Sequence, residues 1–187
     1  MSGSKFFGYK LTVRKMAVLA AVAAIYVALT LALGDFSYAN IQLRVSEALM
    51  MLCFYRKSYC VSMVLGCFIA NIASVVGIVD MLFGTLATAV AALMIVFVSK
   101  VMPRALIKAG MNERTAHILS FITSSLCPVI ANGLIIGAEL YFVLDLPFVL
   151  SAAQVAAGEF LCVTVLGTAV FMCLEKNKAI MRLINNA

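Results

Sequence analysis

Ionisable and amide side chains interrupt a chain that is otherwise strongly apolar, and their types suit the binding of a polar solute. Residues 41–49 read Ile-Gln-Leu-Arg-Val-Ser-Glu-Ala-Leu, which places Arg44 and Glu47 in one short stretch. A charge at the centre of a bilayer costs roughly 2.5–3.5 kcal/mol on insertion scales, so such residues usually face an internal cavity. We therefore predict that this stretch forms one wall of a binding site.

Further polar residues occur in the later apolar segments. Asn71 and Asp80 lie near the end of one segment and the start of the next, although Asp80 could instead be the N-cap of the helix that follows it. Positions 132, 136 and 139 share one helical face, so Asn132 and Glu139 should project together. Glu159 lies near the middle of the last apolar segment, where an unpaired carboxylate would be costly. These side chains are the remaining candidates for the cavity wall.

Motifs of catalysis and metal binding are absent from the sequence. It contains no Gly-x-x-x-x-Gly-Lys-Ser/Thr phosphate loop, no His-Glu-x-x-His zinc motif and no Gly-x-Ser-x-Gly nucleophile elbow. The six cysteines form no Cys-x-x-Cys pair, and the chain contains one histidine. This pattern favours buried free thiols over a metal site or disulfides. No cofactor is expected, and an enzyme would have to use Glu139 and Glu159 as acid and base.

The composition identifies an integral membrane protein. Of the 187 residues, 65% are hydrophobic and 12% charged, against about 45–50% and 25% in soluble domains. Several apolar runs approach the roughly 20 residues that cross a bilayer as a helix. We predict an all-α bundle of six transmembrane helices, at residues 13–34, 41–55, 58–77, 81–101, 115–142 and 148–174. They form a single domain (13–175) between short tails at 1–12 and 176–187.

Positive charge decides between five spans and six, because the second span has only residues 41–55 available to it. With six spans, thirteen of the fourteen lysines and arginines fall on one face, including those of a predicted connection at 103–114, and only Arg44 lies elsewhere. The positive-inside rule makes that face the cytoplasm, so both termini are predicted to be cytoplasmic. The net charge of +6 is then a topology signal, and no basic soluble module for nucleic acid is visible.

The opposite side of the bundle is acidic, so a cavity open to it would favour a cationic or donor-rich solute. An internal repeat of one half of the chain in the other is the usual sign of a carrier that works alone. The two halves of this chain show no clear repeat. A six-helix protein with such a pocket and no ATPase is most simply a subunit that captures a solute. A proton-coupled carrier that works alone is the alternative within transport.

Small residues line one side of the first span. Ala17 and Ala21, and likewise Ala20, Ala24 and Ala28, are four residues apart and so lie in rows along the helix. Small side chains allow another helix to approach closely. The spacing alone is compatible with packing inside this bundle and with docking of a separate membrane subunit.

Several of these stretches resemble the queuosine-precursor substrate-binding component of energy-coupling-factor transporters. The resemblance covers about residues 10–174 and is carried by 41–49, 66–71, 80–88, Asn132-Gly133 with 137–140, and Gly158-Glu159. It implies a bacterial plasma-membrane subunit that binds a scarce solute outside the cell. Such a subunit docks on a transmembrane coupling subunit carrying two ATPase subunits. The resemblance also implies that an alanine-rich face makes this contact, here formed by Ala17, Ala20, Ala21 and Ala24.

The resemblance implies a 7-deazaguanine as solute, such as 7-aminomethyl-7-deazaguanine (preQ1) or queuine. One carboxylate can accept two adjacent N–H donors of the base, while an amide or Arg44 suits its O6 atom and a second carboxylate suits the cationic aminomethyl group. Phe83 or Tyr141 could stack on the ring. The residues do not assign an acid to each edge, and Arg44 could instead pair with Glu47. The same architecture could also serve another vitamin.

Overall fold

The computed structural model describes residues 5–6, 9–10, 12–34, 43–74 and 77–186. The predicted polar loop at 35–40 and the first two residues of the predicted wall, 41–42, lie outside the described residues. The same holds for most of the predicted N-terminal tail. In that tail Lys5–Phe6 (β1) and Tyr9–Lys10 (β2) form a two-stranded antiparallel hairpin.

Helices make up the described part of the membrane domain. They are α1 (Val13–Ala32), α2 (Val45–Tyr55), α3 (Tyr59–Asn71), α4 (Ile78–Lys108), α5 (Glu113–Leu144), α6 (Phe148–Leu174) and α7 (Lys178–Asn186). Helix α2 begins as a 3₁₀ helix over Val45–Met51 and becomes α-helical at Leu52–Tyr55. The central part of α6, Phe160–Gly167, is a π-helix.

Four of these helices are long and apolar enough to cross a membrane, namely α1, α4, α5 and α6. Helix α3 has 13 residues, which at 1.5 Å each reach about 20 Å of the roughly 30 Å hydrocarbon layer. The predicted spans 41–55 and 58–77 are therefore helical over only part of their length. Six complete crossings remain a prediction, because neither α2 nor α3 is long enough to cross the layer as a helix by itself.

Two predictions about the fourth helix are wrong. Asp80 is not its N-cap, because α4 begins at Ile78 after Gly77, and Asp80 lies buried in the first turn. The connection predicted at 103–114 is mostly helical, because α4 continues through Pro103 to Lys108. The helix ends five residues after the proline, shortly before Gly110, whose φ of 91° favours glycine.

Neighbouring helices pack in sequence, α1 on α3, α3 on α4, α4 on α5 and α5 on α6. Helix α2 contacts α1 and the π-helical part of α6, which places it inside the bundle. Its side chains Met50 and Met51 are fully buried, whereas large apolar side chains such as Phe142 and Val149 on other helices are exposed. An apolar surface around a polar interior is the arrangement expected of a protein in lipid.

Small residues set the distance between α5 and α6. A Cβ built on Gly137 would lie 2.8 Å from the Cα atom of Ala152, and one on Gly133 would lie 3.2 Å from the Cβ atom of Ala156. The first distance leaves no space for a side chain. The Gly-x-x-x-Gly spacing therefore serves helix packing here.

Polar contacts tie the basic ends of the helices together. The Glu175 carboxylate, just after α6, lies 2.7 Å from Nε2 of His117 near the start of α5 and accepts a 2.8 Å hydrogen bond from the Tyr55 hydroxyl of α2. Helix α7 folds back onto this end, where its Ile184 carbonyl accepts a 3.2 Å hydrogen bond from Tyr59. His117 therefore has a structural role. All six cysteine thiols are free, four of them buried.

Candidate functional site

Buried polar residues from five helices and one adjoining segment gather in the interior of the bundle. We call this set the polar cluster, and each member is at most 5% exposed. Its members are Arg44, Glu47, Asn71, Asp80, Asn132, Glu139 and Glu159. All seven were predicted from the sequence as binding residues, and the structure brings them into one polar interior.

Helix α1 holds the α2 side of the polar cluster in place. The Tyr26 hydroxyl donates a hydrogen bond to the Glu47 carboxylate, and the Thr30 and Ser46 hydroxyls are 2.7 Å apart. Ala23, Tyr26 and Thr30 form the buried face of α1, at positions one and two turns apart. Two polar side chains of α1 thus align the start of α2, where Glu47 is found.

An ion pair joins the segment before α2 to the start of α4. The Arg44 guanidinium lies 3.6 Å from the Asp80 carboxylate, and both side chains are buried. The Ser74 hydroxyl donates to the same carboxylate oxygen, and the Asn71 amide donates to the Asp80 backbone carbonyl at 3.2 Å. The alternative partner for Arg44, Glu47, is close enough to interact with it electrostatically but is hydrogen-bonded to Tyr26.

Glycine at position 84 makes the contact with Asn71 possible. A Cβ built there would lie 2.3 Å from the amide nitrogen of Asn71 and 3.3 Å from a carboxylate oxygen of Asp80. Residue 84 is one helical turn after residue 80, so its side chain would cover the carbonyl that Asn71 reaches. The absence of a Cβ therefore lets the end of α3 dock on the first turn of α4.

Helices α5 and α6 supply the other side of the polar cluster. The Asn132 amide donates a 2.6 Å hydrogen bond to the Glu159 carboxylate. Glu139 lies on the same face of α5 as Asn132 and is 2% exposed. Helix α2 contacts both α5 and the π-helical part of α6, so the two sides of the polar cluster face each other.

Several oxygens of the polar cluster are buried without a hydrogen-bond partner among the described residues. They belong to Glu47, Asn71, Asp80, Asn132, Glu139 and Glu159, and Glu139 contributes both of its carboxylate oxygens. A buried polar atom left unpaired costs about 1–3 kcal/mol, so native structures keep few of them. All of these atoms can accept hydrogen bonds, so the polar cluster is matched to a ligand rich in N–H donors or carrying a positive charge.

The predicted stacking residues lie elsewhere. Phe83 is 40% exposed and Tyr141 is 47% exposed, and Tyr141 makes an edge contact with Phe142 rather than with the polar cluster. Among the described residues, Tyr26 reaches the polar cluster through its bond to Glu47, and the sequence reasoning missed it. The sequence does contain a pattern that indicates this role. Tyr26 and Thr30 are four residues apart, so they share a polar face of α1 on the side away from the alanines.

The alanine rows of α1 do not pack inside the bundle. Ala17, Ala20, Ala21 and Ala24 are all exposed. Only 17% of the most apolar stretch of α1 is buried, against 50% for α5. Packing against the described helices therefore does not explain these four alanines, which form an exposed face of small side chains on α1.

Comparison with known proteins identifies the family. The family model described as QueT transporter matches residues 16–176, which cover the membrane domain except for the first three residues of α1. The chain is also 32% identical over 145 residues to a protein named queuosine precursor transporter QueT from Lactococcus lactis subsp. cremoris (strain MG1363), covering 76% of this chain and 81% of the relative. No solved structure matches the chain. The chain thus belongs to the QueT transporter family, as a multi-pass membrane protein that transports and is not an enzyme.

Proposed function

We propose that this protein captures a queuosine precursor of the 7-deazaguanine class at the polar cluster. The observation that carries the proposal is the set of buried acceptor oxygens on α2 to α6 that have no hydrogen-bond partner among the described residues, in a member of a family that includes a named queuosine precursor transporter. 7-Aminomethyl-7-deazaguanine has the matching chemistry, since its N1–H and amino group are adjacent donors and its aminomethyl substituent is a cation at neutral pH.

The unpartnered atoms suggest how the base is oriented. Glu159 and Asn132 are joined by a hydrogen bond, and each keeps one free acceptor oxygen, so together they offer two neighbouring acceptors. We assign this pair to the two adjacent N–H donors of the base. Glu139, with both oxygens unpartnered among the described residues, is assigned to the aminomethyl cation. The ion pair of Arg44 with Asp80 then bounds the site on the opposite side.

Delivery into the cell is proposed to follow the energy-coupling-factor scheme. In this proposal the chain passes the plasma membrane six times with both termini in the cytoplasm. Support comes from the contacts of Tyr55, His117 and Glu175, which gather the basic helix ends on one side. The exposed alanine face of α1 would dock on a transmembrane coupling subunit that carries two ATPase subunits. No cofactor is assigned to this chain.

Calorimetric titration of the detergent-purified protein with 7-aminomethyl-7-deazaguanine tests the capture step. We expect saturable binding without conversion of the ligand, and no binding of riboflavin. Guanine keeps the donor edge but lacks the cation, so we expect it to bind more weakly. A folded sample that binds riboflavin as well as the deazaguanine, or binds neither, would contradict the proposal.

Matched glutamine variants test the two assignments separately. Glu139→Gln removes the charge opposite the aminomethyl group, so the preference for this ligand over 7-cyano-7-deazaguanine, which lacks the cation, should fall about tenfold or more, as one charged hydrogen bond is worth about 1.5–3 kcal/mol. Glu159→Gln should instead weaken both ligands to a similar extent. If each variant leaves both affinities unchanged, these acids do not line the site.

A further inference from the structure

A polar cavity is present next to α4, and its lining residue Lys100 lies twenty residues along that helix from Asp80 of the polar cluster. It has a volume of about 360 Å³ and is formed between the end of α2, the turn that follows it, and the C-terminal half of α4. Cavities of this size lie at the lower end of the range that binds small ligands. We call it the basic cavity, and its lining residues are Cys53, Phe54, Tyr55, Arg56, Lys57, Val96, Ser99 and Lys100.

The charged side chains that line the basic cavity are all cationic. Three of the eight lining residues, Arg56, Lys57 and Lys100, are cations, and none of the eight is a carboxylate. A hydroxyl group, that of Ser99, is also present, and Arg and Lys are the side chains that proteins use most often to bind phosphate. Glu175 lies close by, but it is engaged with Tyr55 and His117 and does not line the cavity.

The outer surface of α4 continues from the basic cavity into the apolar belt of the protein. Leu93 and Phe97, two turns and one turn before Lys100, are 65% and 66% exposed. They form an apolar strip directly beside a cationic cavity at the helix end. A basic cavity between transmembrane helices at the cytoplasmic side is the site that anionic lipid headgroups typically occupy.

We propose that the basic cavity binds a phosphate ester group. Arg56 and Lys100 hold the phosphate from the two sides of the cavity, and Lys57 adds to the positive potential. The phosphate can belong to the headgroup of an anionic lipid or to a soluble phosphate ester, and the two sources share this chemistry. The inference does not depend on the identity of the transported solute, and it uses the proposed sidedness only to name the leaflet as the cytoplasmic one.

Native mass spectrometry of the delipidated full-length protein tests the proposal, with phosphatidylglycerol as probe and phosphatidylcholine as control. We expect phosphatidylglycerol adducts on the wild type and about fivefold weaker binding for each cation removed, as in Arg56→Gln and Lys100→Gln. Arg104→Gln is the matched control, because Arg104 is an exposed cation one turn further along α4 that does not line the cavity. Lys100→Arg should restore binding.

A second arm of the experiment distinguishes the two sources of phosphate. If glycerol 3-phosphate binds with the same dependence on Arg56 and Lys100, the ligand is a soluble ester, and if only the lipid does, the ligand is a headgroup. Equal phosphatidylglycerol binding by all variants, no preference over phosphatidylcholine, or no binding to folded protein would overturn the proposal. All variants should bind 7-aminomethyl-7-deazaguanine as the wild type does, so a failure here is separable from a failure of the proposed capture function.

Discussion

Substitution of Gly84 by alanine tests how the end of α3 is fixed to α4. The new Cβ would lie 2.3 Å from the amide nitrogen of Asn71, more than 1 Å inside an ordinary contact of about 3.5 Å. The Asn71 side chain must therefore move by about that amount. Its hydrogen bonds, 3.2 Å to the Asp80 carbonyl and 3.4 Å to the Cys67 sulfur, cannot survive such a displacement.

The expected cost follows from these two effects. Overpacking of a well-packed interior costs roughly 1–3 kcal/mol, and the loss of a buried hydrogen bond to a backbone carbonyl adds about 1 kcal/mol. We therefore expect Gly84→Ala to lower the free energy of unfolding by about 2–4 kcal/mol. Because Asn71 and Asp80 belong to the polar cluster, the affinity for 7-aminomethyl-7-deazaguanine should fall at least tenfold.

Unfolding in detergent, followed with and without ligand, together with calorimetric titration, measures both quantities. Gly167→Ala is the matched control, because a Cβ there would lie 3.4 Å from the Cα atom of Ala48, which is an ordinary contact. The substitution Asn71→Ala removes the amide group that the new Cβ would contact. In that background, Gly84→Ala should therefore lower the free energy of unfolding by less than it does in the wild type. An equal cost in both backgrounds, or Gly84→Ala as mild as Gly167→Ala, would refute this account of the contact.

Three further predictions concern the helices around the polar cluster. Tyr26→Phe removes the hydroxyl that donates to Glu47 and should destabilise the protein by about 1–3 kcal/mol in thermal or denaturant unfolding. Ala20→Leu combined with Ala24→Leu should leave ligand binding intact but abolish ATP-driven uptake by the assembled transporter in vesicles, because the bulk would keep a docking helix away. Gly137→Ala should reduce the yield of folded protein, because no space exists for a Cβ against α6.

The first two of these changes each have a matched control. Tyr141→Phe removes a hydroxyl from a half-exposed side chain, and it should be close to neutral. Ala153→Leu enlarges an exposed alanine of α6 and should preserve uptake. Wild-type uptake by the double leucine variant would exclude this face of α1 as the docking surface. Stability of Tyr26→Phe equal to that of Tyr141→Phe would show that the bond to Glu47 contributes nothing.

The polar members of the site were predictable because a charged side chain in lipid is costly, so each such residue in an apolar segment is by itself a candidate for a polar interior. The free-energy cost of a charge in lipid is avoided only in a polar interior, and this applies to Arg44, Glu139 and Glu159. Tyr26 escaped this reasoning because a tyrosine in an apolar helix is common at a membrane surface and needs no partner there. Phe83 was chosen for its chemistry, but exposure depends on which side of α4 faces lipid.

Helix lengths were harder to predict than helix positions, because hydropathy does not distinguish a helix from apolar chain that is irregular. Residues 72–74 continue the apolar run of α3, yet the backbone there makes short-range turn bonds, Ala73 to Ala70 and Ser74 to Asn71. The extension of α4 past Pro103 was missed for the opposite reason. Pro103 suggested that the helix ends there, but the helix propensity of the following residues is sufficient for α4 to continue.

The break at the end of α3 and the binding site depend on the same residues. Irregular backbone at membrane depth is tolerated only where it is buried in protein or lines a cavity, and its polar groups must find partners there. Asn71 and Ser74 supply such contacts by bonding to the backbone and the carboxylate of Asp80. Their variants should therefore lose stability and affinity together. A ligand that binds only the folded protein should restore part of the lost stability, by about 2.7 kcal/mol at a hundredfold excess over Kd.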